Sequence, residues 1–385
     1  MTKKECLSII LAGGQGTRLA ALTTQIAKPA IPFGGRYRLI DFTLSNCYNS
    51  GIDTVGVLTS SCPFKLDNQI STGRQPELYC TPCTIHTLPP IDGSDLYDGT
   101  ANAVYKNIDF IERFSPEYVL ILSGDHIYRM DYNLLLSYHK SKGAVATIAT
   151  VKVPWAEVSR FGILGTHSNG AIEDFTEKPT FPRNNTASMG VYIFSWSKLK
   201  YYLKMDQENS SSSHDFGKNI IPAMIAHEEA MFAYPFNGYW KDVGTVASLY
   251  EAHMDLLSDP PGFDIEDMTW PIYSTLPLIT ASIDHSKRSL ISDGSSILGQ
   301  IDGSIIFADS YIGKRAKVKN SVIMPGAYIG IDAYIENAII GPAAIVENGC
   351  TVYGDLNQSL PIAIVGEKAV VSVKKDNCIV NQNCR

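Results

Sequence analysis

Up to about residue 255, short apolar runs alternate with longer stretches of helical periodicity. The runs fall at 7–11, 54–59, 118–122, 144–153 and 191–194, and helical stretches such as 101–114 and 133–142 lie between them. This alternation predicts βαβ units: a Rossmann-like, mostly parallel sheet with helices on both faces. Ligands of such sheets bind beyond the carboxyl ends of the strands. The pattern stops at Asp259-Pro260-Pro261-Gly262, with Pro271 and Pro277 further on, which reads as a linker. After about residue 290 a different order begins. Ser304-Ile305-Ile306 recurs as Ser321-Val322-Ile323 and Ala338-Ile339-Ile340, each 17 residues after the last. Ile312, Ile329 and Val346 keep the same spacing, as do Ile301, Val318, Ile335 and Val352. A fixed period of this kind predicts a stacked solenoid, and the six-residue step from Ile312 to Val318 is that of a hexapeptide β-helix. The expected organisation is an α/β domain over 1–257, a linker over 258–289 and a β-helix over 290–385. The repeating isoleucines are core positions in this reading, and the open ends of so short a solenoid need covering.

Composition narrows the function classes. The chain has 385 residues, 45% of them hydrophobic and 18% charged, enough for two packed domains. A net charge of −7 and the lack of any basic run give no reason to expect nucleic acid or a membrane surface as partner. The N-terminus leads directly into a strand with no signal-peptide pattern, and no apolar run is long enough for a membrane span, so a cytoplasmic location is expected. The eight cysteines are scattered, as suits a reducing compartment. The role of Cys80 and Cys83, the one C-x-x-C, stays open between a polar loop and a metal or redox pair.

The candidate chemistry starts at the end of the first apolar run. Leu11-Ala12-Gly13-Gly14-Gln15-Gly16-Thr17-Arg18 is a glycine-rich turn followed by a basic residue, and Lys28-Pro29 comes ten residues later. Glycines let backbone N–H groups close around phosphate oxygens, and Arg18 and Lys28 can neutralise a polyphosphate. The turn is neither a P-loop, lacking Gly-Lys-Ser/Thr, nor a dinucleotide fingerprint, having Leu19 where the third glycine belongs. Asp125 follows the run at 118–122 through Gly124, and Asp242 stands 117 residues later in Trp240-Lys241-Asp242. Two aspartates from separate loops suit Mg²⁺, which takes one or two carboxylates and completes its shell with substrate phosphates. Either one alone also fits a turn or a helix cap. Glu177-Lys178-Pro179 offers an acid that can accept from sugar hydroxyls and a lysine that can hold a phosphate, or else a surface ion pair. Gly99-Thr100-Ala101 opens a helix, and its small residues suit either the approach of a flat base to the backbone or the capping of that helix.

Together these motifs resemble the nucleotidyl-sugar transferases, and within them the glucose-1-phosphate adenylyltransferases of bacterial glycogen synthesis. The likeness is narrowest at Phe33-Gly34-Gly35-Arg36-Tyr37-Arg38, Gly124-Asp125-His126-Ile127-Tyr128 and His214-Asp215-Phe216-Gly217-Lys218. It implies that the solenoid is a left-handed β-helix and that ATP and glucose 1-phosphate give ADP-glucose and diphosphate. It also implies that Asp125 and Asp242 hold Mg²⁺ and that Arg18, Lys28 and Asp125 are catalytic. Leu11, Ala12, Gly13, Gly14, Gly16, Thr17, Gly99, Thr100 and Asp125 would bind the nucleotide. Tyr97, Gly162, Glu177, Lys178 and Ser188 would line the glucose 1-phosphate pocket. A homotetramer, or a heterotetramer with a related regulatory subunit, is the implied assembly. Gln25-Ile26 and Thr59-Ser60-Ser61 depart from the family pattern where effector response is shaped, so the effector is left open. Three rival readings remain: a non-catalytic regulatory subunit, a transferase for another nucleotide or sugar, and a hexapeptide acyltransferase.

Overall fold

The computed structural model describes residues 4–13, 17–23, 26–59, 84–90, 97–274, 280–355, 362–372 and 379–380. Thirteen strands among the described residues organise its N-terminal part. They are β1 (Cys6–Leu11), β2 (Pro32–Phe33), β3 (Tyr37–Arg38), β4 (Thr54–Leu58), β5 (Thr84–Leu88), β6 (Tyr118–Ser123) and β7 (His126–Tyr128). Then come β8 (Ala146–Lys152), β9 (Gly162–Thr166), β10 (Ile172–Glu177), β11 (Thr186–Ser195), β12 (Met231–Pro235) and β13 (Trp240–Asp242). The main sheet runs β10-β9-β11-β6-β1-β4-β5, with β8 branching from β11 and β12 pairing with β8. Its centre is parallel: β1 lies between β4 and β6, and β5 continues beyond β4. β11 enters antiparallel to β6 and carries β8 and β9 with it. The central strands are apolar on both faces because helices cover both, as parallel strands require.

The predicted run at 191–194 is the end of a longer strand, Thr186–Ser195, whose pairing with β8 shifts register between Ser188 and Tyr192. Gly190 sits in that bulge with a φ of 67°, which a side chain would oppose. The predicted helix 101–114 is two helices, Thr100–Tyr105 and Ile108–Glu112. Between them Asn107 donates its amide to the carbonyl of Ala103 at 2.8 Å and to the hydroxyl of Tyr97 at 3.0 Å. Such side-chain bonds compete with the helical ladder.

Much of the segment expected as a linker is a strap laid across the first domain. Trp270 Nε1 donates to Asn46 at 2.9 Å, Tyr273 N to Ser45 at 2.8 Å and Ser274 Oγ to Asp41 at 2.7 Å. All three acceptors belong to the helix Leu39–Asn49. The solenoid's first strand, Ala281–Asp284, also falls inside the expected linker and pairs with Ser289–Ser292.

Beyond it the solenoid has three parallel faces. On one, Ile306, Ile323, Ile340 and Val365 stack inward. Their neighbours Ile305, Val322, Ile339 and Ile364 point the other way and are equally buried, because they pack on the N-terminal domain. The spacing is 17 residues from Ile323 to Ile340 and 25 from Ile340 to Val365, so the last coil carries an insertion.

Candidate active site

The carboxyl ends of the parallel strands create the site. β1 ends at Leu11, whose carbonyl accepts the amide of Gly124 at 3.1 Å, and the amide of Ala12 donates to Leu58 at 2.9 Å. Three strand ends are thus tied together around a cavity of about 330 Å³. Its lining includes Leu11, Gly13, Leu58, Tyr97, Gly99, Thr100, Ala103, Ser123 and Asp125. Apolar walls with a few polar groups suit a flat base and ribose. Gly99 has a φ of 146°, and a Cβ there would come within 2.5 Å of the Ser213 carbonyl oxygen. The Gly99-Thr100 turn is docked on the His214–Lys218 segment. Ala101 N donates to the carbonyl of His214 at 2.8 Å, and Thr100 Oγ1 donates to Asp215 at 3.0 Å.

Asp125 and Asp242 meet because β7 and β13 pair antiparallel, with Asp242 opposite His126. Lys28, in the 3-10 turn Lys28–Ala30, salt-bridges Asp125 Oδ2 and lies 3.7 Å from Asp242 Oδ1. His126 Nε2 lies 3.5 Å from Asp125 Oδ1 and 3.8 Å from Asp242 Oδ1. Ser123 Oγ donates to Asp125 as well. Burial pushes the Asp125 carboxyl up, but Lys28, His126 and the bonds from Lys28 and Ser123 outweigh it. The net result holds Asp125 well below the usual carboxylate range. Asp125 is therefore ionised, and the Lys28 ammonium lies against both carboxylates.

A second cluster lies at the end of β10. Glu177 pairs with Gly162 across β9 and β10, and Lys178 Nζ reaches Glu177 Oε1 at 2.8 Å. A Cβ on Gly162 would come 2.9 Å from Glu177 Oε2, and one on Gly217 would come 2.6 Å from it. Two glycines thus make room for this carboxylate. Ser188 is buried in the β11 bulge, accepting the amide of Gly190 at 3.2 Å and donating to Tyr192 at 3.3 Å. Of the nucleotide residues expected from sequence, Gly14 and Gly16 lie outside the described residues, as do Cys80 and Cys83. Thr17 begins the 3-10 turn Thr17–Leu19, and Arg18 in that turn is exposed. Tyr97, expected beside the sugar phosphate, lines the cavity with Gly99, Thr100 and Asp125, and its hydroxyl donates to Leu88 at 2.9 Å.

Residues 7–259 match the nucleotidyl transferase family and residues 280–373 the GlmU-like C-terminal hexapeptide family. A glucose-1-phosphate adenylyltransferase of Clostridium perfringens is 51% identical over 98% of both chains. The chain belongs to the glucose-1-phosphate adenylyltransferases. The Clostridium beijerinckii member is 51% identical over 97% of both chains. The Geobacillus stearothermophilus member is 52% identical over 82% of this chain and 84% of its own. The parallel three-faced solenoid is the left-handed β-helix expected of the family.

Sequence reasoning missed one cation in this adenylyltransferase site. Arg160 Nη2 lies 3.5 Å from Asp242 Oδ2, the oxygen that Lys28 does not face. An arginine just before a strand gives no signal in a single sequence. Among the described residues no group of three or more ligating side chains is present, so Asp125 and Asp242 alone would supply the protein's carboxylate oxygens to a cation. Two carboxylates converging on the same lysine and histidine fit a hard divalent ion completed by substrate oxygens. No helix among the described residues is long and apolar enough to cross a membrane.

Proposed function

We propose that the protein transfers the adenylyl group of ATP to α-D-glucose 1-phosphate, giving ADP-glucose and diphosphate for glycogen synthesis. The observation that carries this reading is the position of Lys28, Asp125 and Asp242. Asp125 borders the cavity formed by Gly13, Gly99 and Thr100, and Lys28 bridges it to Asp242. The base and ribose fit the cavity, which directs the triphosphate toward the glycine-rich turn and Lys28. Glu177 and Lys178 hold the sugar phosphate so that its oxygen attacks the α-phosphorus in line as the bond to diphosphate breaks. Lys28 and Arg18 neutralise the charge that develops on the departing diphosphate. Positioning and charge neutralisation supply most of the rate, since phosphoryl chemistry asks little proton transfer of the protein. Mg²⁺ is the cation proposed for Asp125 and Asp242, and when bound it would stabilise negative charge on the phosphates.

Retention of both aspartates, Lys28 and Lys178 argues against a non-catalytic regulatory subunit. Diphosphate release from the purified chain tests the reading, with ATP compared with UTP, GTP and dTTP, each with glucose 1-phosphate. Strong preference for ATP is expected, and preference for another nucleotide would reject the substrate. A cytoplasmic homotetramer, or a heterotetramer with a related subunit, is the proposed assembly, checked by sedimentation velocity.

A further inference from the structure

Arg160 is held at one end only. Its Nη1 donates to Glu157 at 3.0 Å, and its guanidinium lies 5.3 Å from the Phe161 ring centroid. The opposite edge of the fork, Nε and Nη2, is buried and makes no hydrogen bond to any described residue. Nη2 has only the 3.5 Å charge contact with Asp242. This is the edge that grips an oxyanion with two parallel bonds. The chain uses it so elsewhere. Arg288 places Nε at 3.2 Å and Nη2 at 2.9 to 3.0 Å on Asp302. Arg315 places the same two atoms on Asp332 at 2.6 and 2.5 Å. Those two arginines sit on the exposed solenoid surface with their forks filled. Arg160 sits in the active site with its fork empty.

Buried N–H groups without acceptors cost free energy, so an empty fork beside reacting groups points to a ligand with two acceptor oxygens. Its place in the chain selects which ligand. Arg160 is absent from the lining of the nucleotide cavity. The next residue, Phe161, accepts the amide of Lys178 at 3.0 Å, and Gly162 pairs with Glu177. The fork therefore belongs to the Glu177–Lys178 side of the carboxylate pair. We infer that Arg160 binds the phosphate of glucose 1-phosphate through Nε and Nη2 while its charge stays against Asp242. It would thus be a second phosphate contact beside Lys178, working by geometry where lysine works as a point charge.

The inference rests on the proposed reaction, so the wild-type chain is first shown to release diphosphate from ATP and glucose 1-phosphate. Failure there rejects the reaction itself. Arg160→Gln and Arg160→Lys are then compared with wild type, with circular dichroism and melting temperature confirming the fold. At least about a tenfold rise in KM for glucose 1-phosphate is expected in both, with KM for ATP within about twofold. Arg160→Lys should recover little, because it keeps the charge and loses the fork. Three results would overturn the assignment: a lysine variant with wild-type KM, an equal rise in both KM values, or a fall in kcat with both KM values unchanged. The last would mean that Arg160 acts only through Asp242. Should both variants fail to fold, thermal stabilisation of a Lys178→Ala chain by glucose 1-phosphate decides, because that variant leaves the Arg160 fork to hold the phosphate. It is compared with that by glucose, and equal shifts from the two would refute a phosphate fork.

Discussion

Asp125 is subject to opposing influences that leave it ionised. Burial alone would raise its pKa, and Lys28, His126 and Ser123 together reverse that. An aspartate so compensated is suited to meeting positive charge rather than carrying a proton. Asp125→Asn keeps the shape and removes the charge, so kcat should fall by about 10²-fold or more with the circular dichroism spectrum unchanged. Near-normal turnover at saturating Mg²⁺ would reject the metal role. Lys178 differs in kind. It is half-exposed, tied to Glu177 at 2.8 Å, and held at a φ of 48°. Lys178→Ala should raise KM for glucose 1-phosphate well above any change in KM for ATP. Equal changes would remove Lys178 from the sugar-phosphate site. These residues were legible in the sequence because Asp125 follows an apolar run and Lys178 stands directly before a proline. Their meeting was not legible. Asp125 and Asp242 come together through the three-residue pairing of β7 with β13, which is too short to leave a periodic trace.

At the scale of elements, the helix Leu39–Asn49 carries unusual demands. It is buried from Leu39 to Cys47, so its polar groups need partners inside the protein. Asp41 meets three of them, accepting Arg38 N at 2.8 Å, Arg38 Nη2 at 3.1 Å and Ser274 Oγ at 2.7 Å. It thereby caps its own helix, compensates a buried guanidinium and anchors the strap. Asp41→Ala should cost about 3 kcal/mol or more, since it takes the carboxylate from a buried charge. The urea midpoint measures this, and a loss below about 1 kcal/mol would mean the network relaxes freely. Proline and glycine did mark the end of the βαβ pattern near residue 259, but nothing marks the strap that follows. Its hold on the helix comes from Trp270, Tyr273 and Ser274, spaced without any helical or strand period. The long helix expected over 101–114 breaks for a similarly local reason, the side-chain bonds of Asn107. Apolar periodicity locates an element well, but a single side chain that bonds to backbone can end one.

For the whole molecule, the decisive surface is the solenoid face that packs on the N-terminal domain. The sequence shows it in hindsight. One face alternates an inward apolar residue with polar neighbours, as in Lys317-Val318-Lys319, and a second leaves the first member of pairs such as Ile345-Val346 exposed, whereas this one buries both members of pairs such as Val322-Ile323 and Ile339-Ile340. The second member of each such buried pair fills the solenoid. The first packs in the core shared with Phe33, Leu249, Phe263 and Leu256. Tyr250 adds a hydrogen bond across the junction to the carbonyl of Asn320 at 2.7 Å. Within this core lies His253, fully buried between Phe33 at 4.5 Å and Phe307 at 6.1 Å, ring centre to ring centre. Burial lowers its pKa from 6.5 to about 4, and burial does the same to His139 beside Thr147 in the first domain. Between pH 6.5 and 4 the unfolded chain binds protons at both histidines and the folded chain does not. Stability is therefore complete above pH 6.5 and falls as pH drops toward 4. At pH 5 the loss should reach about 2 kcal/mol per histidine, from 1.36 kcal/mol per pH unit. His253→Leu removes one of the two groups, so its stability should fall less than wild type between pH 7 and pH 5, read from urea midpoints. The junction would then carry one of the two buried histidines through which acid loosens the molecule. An unchanged pH dependence in that variant would assign the acid sensitivity to other groups and leave the junction indifferent to protons.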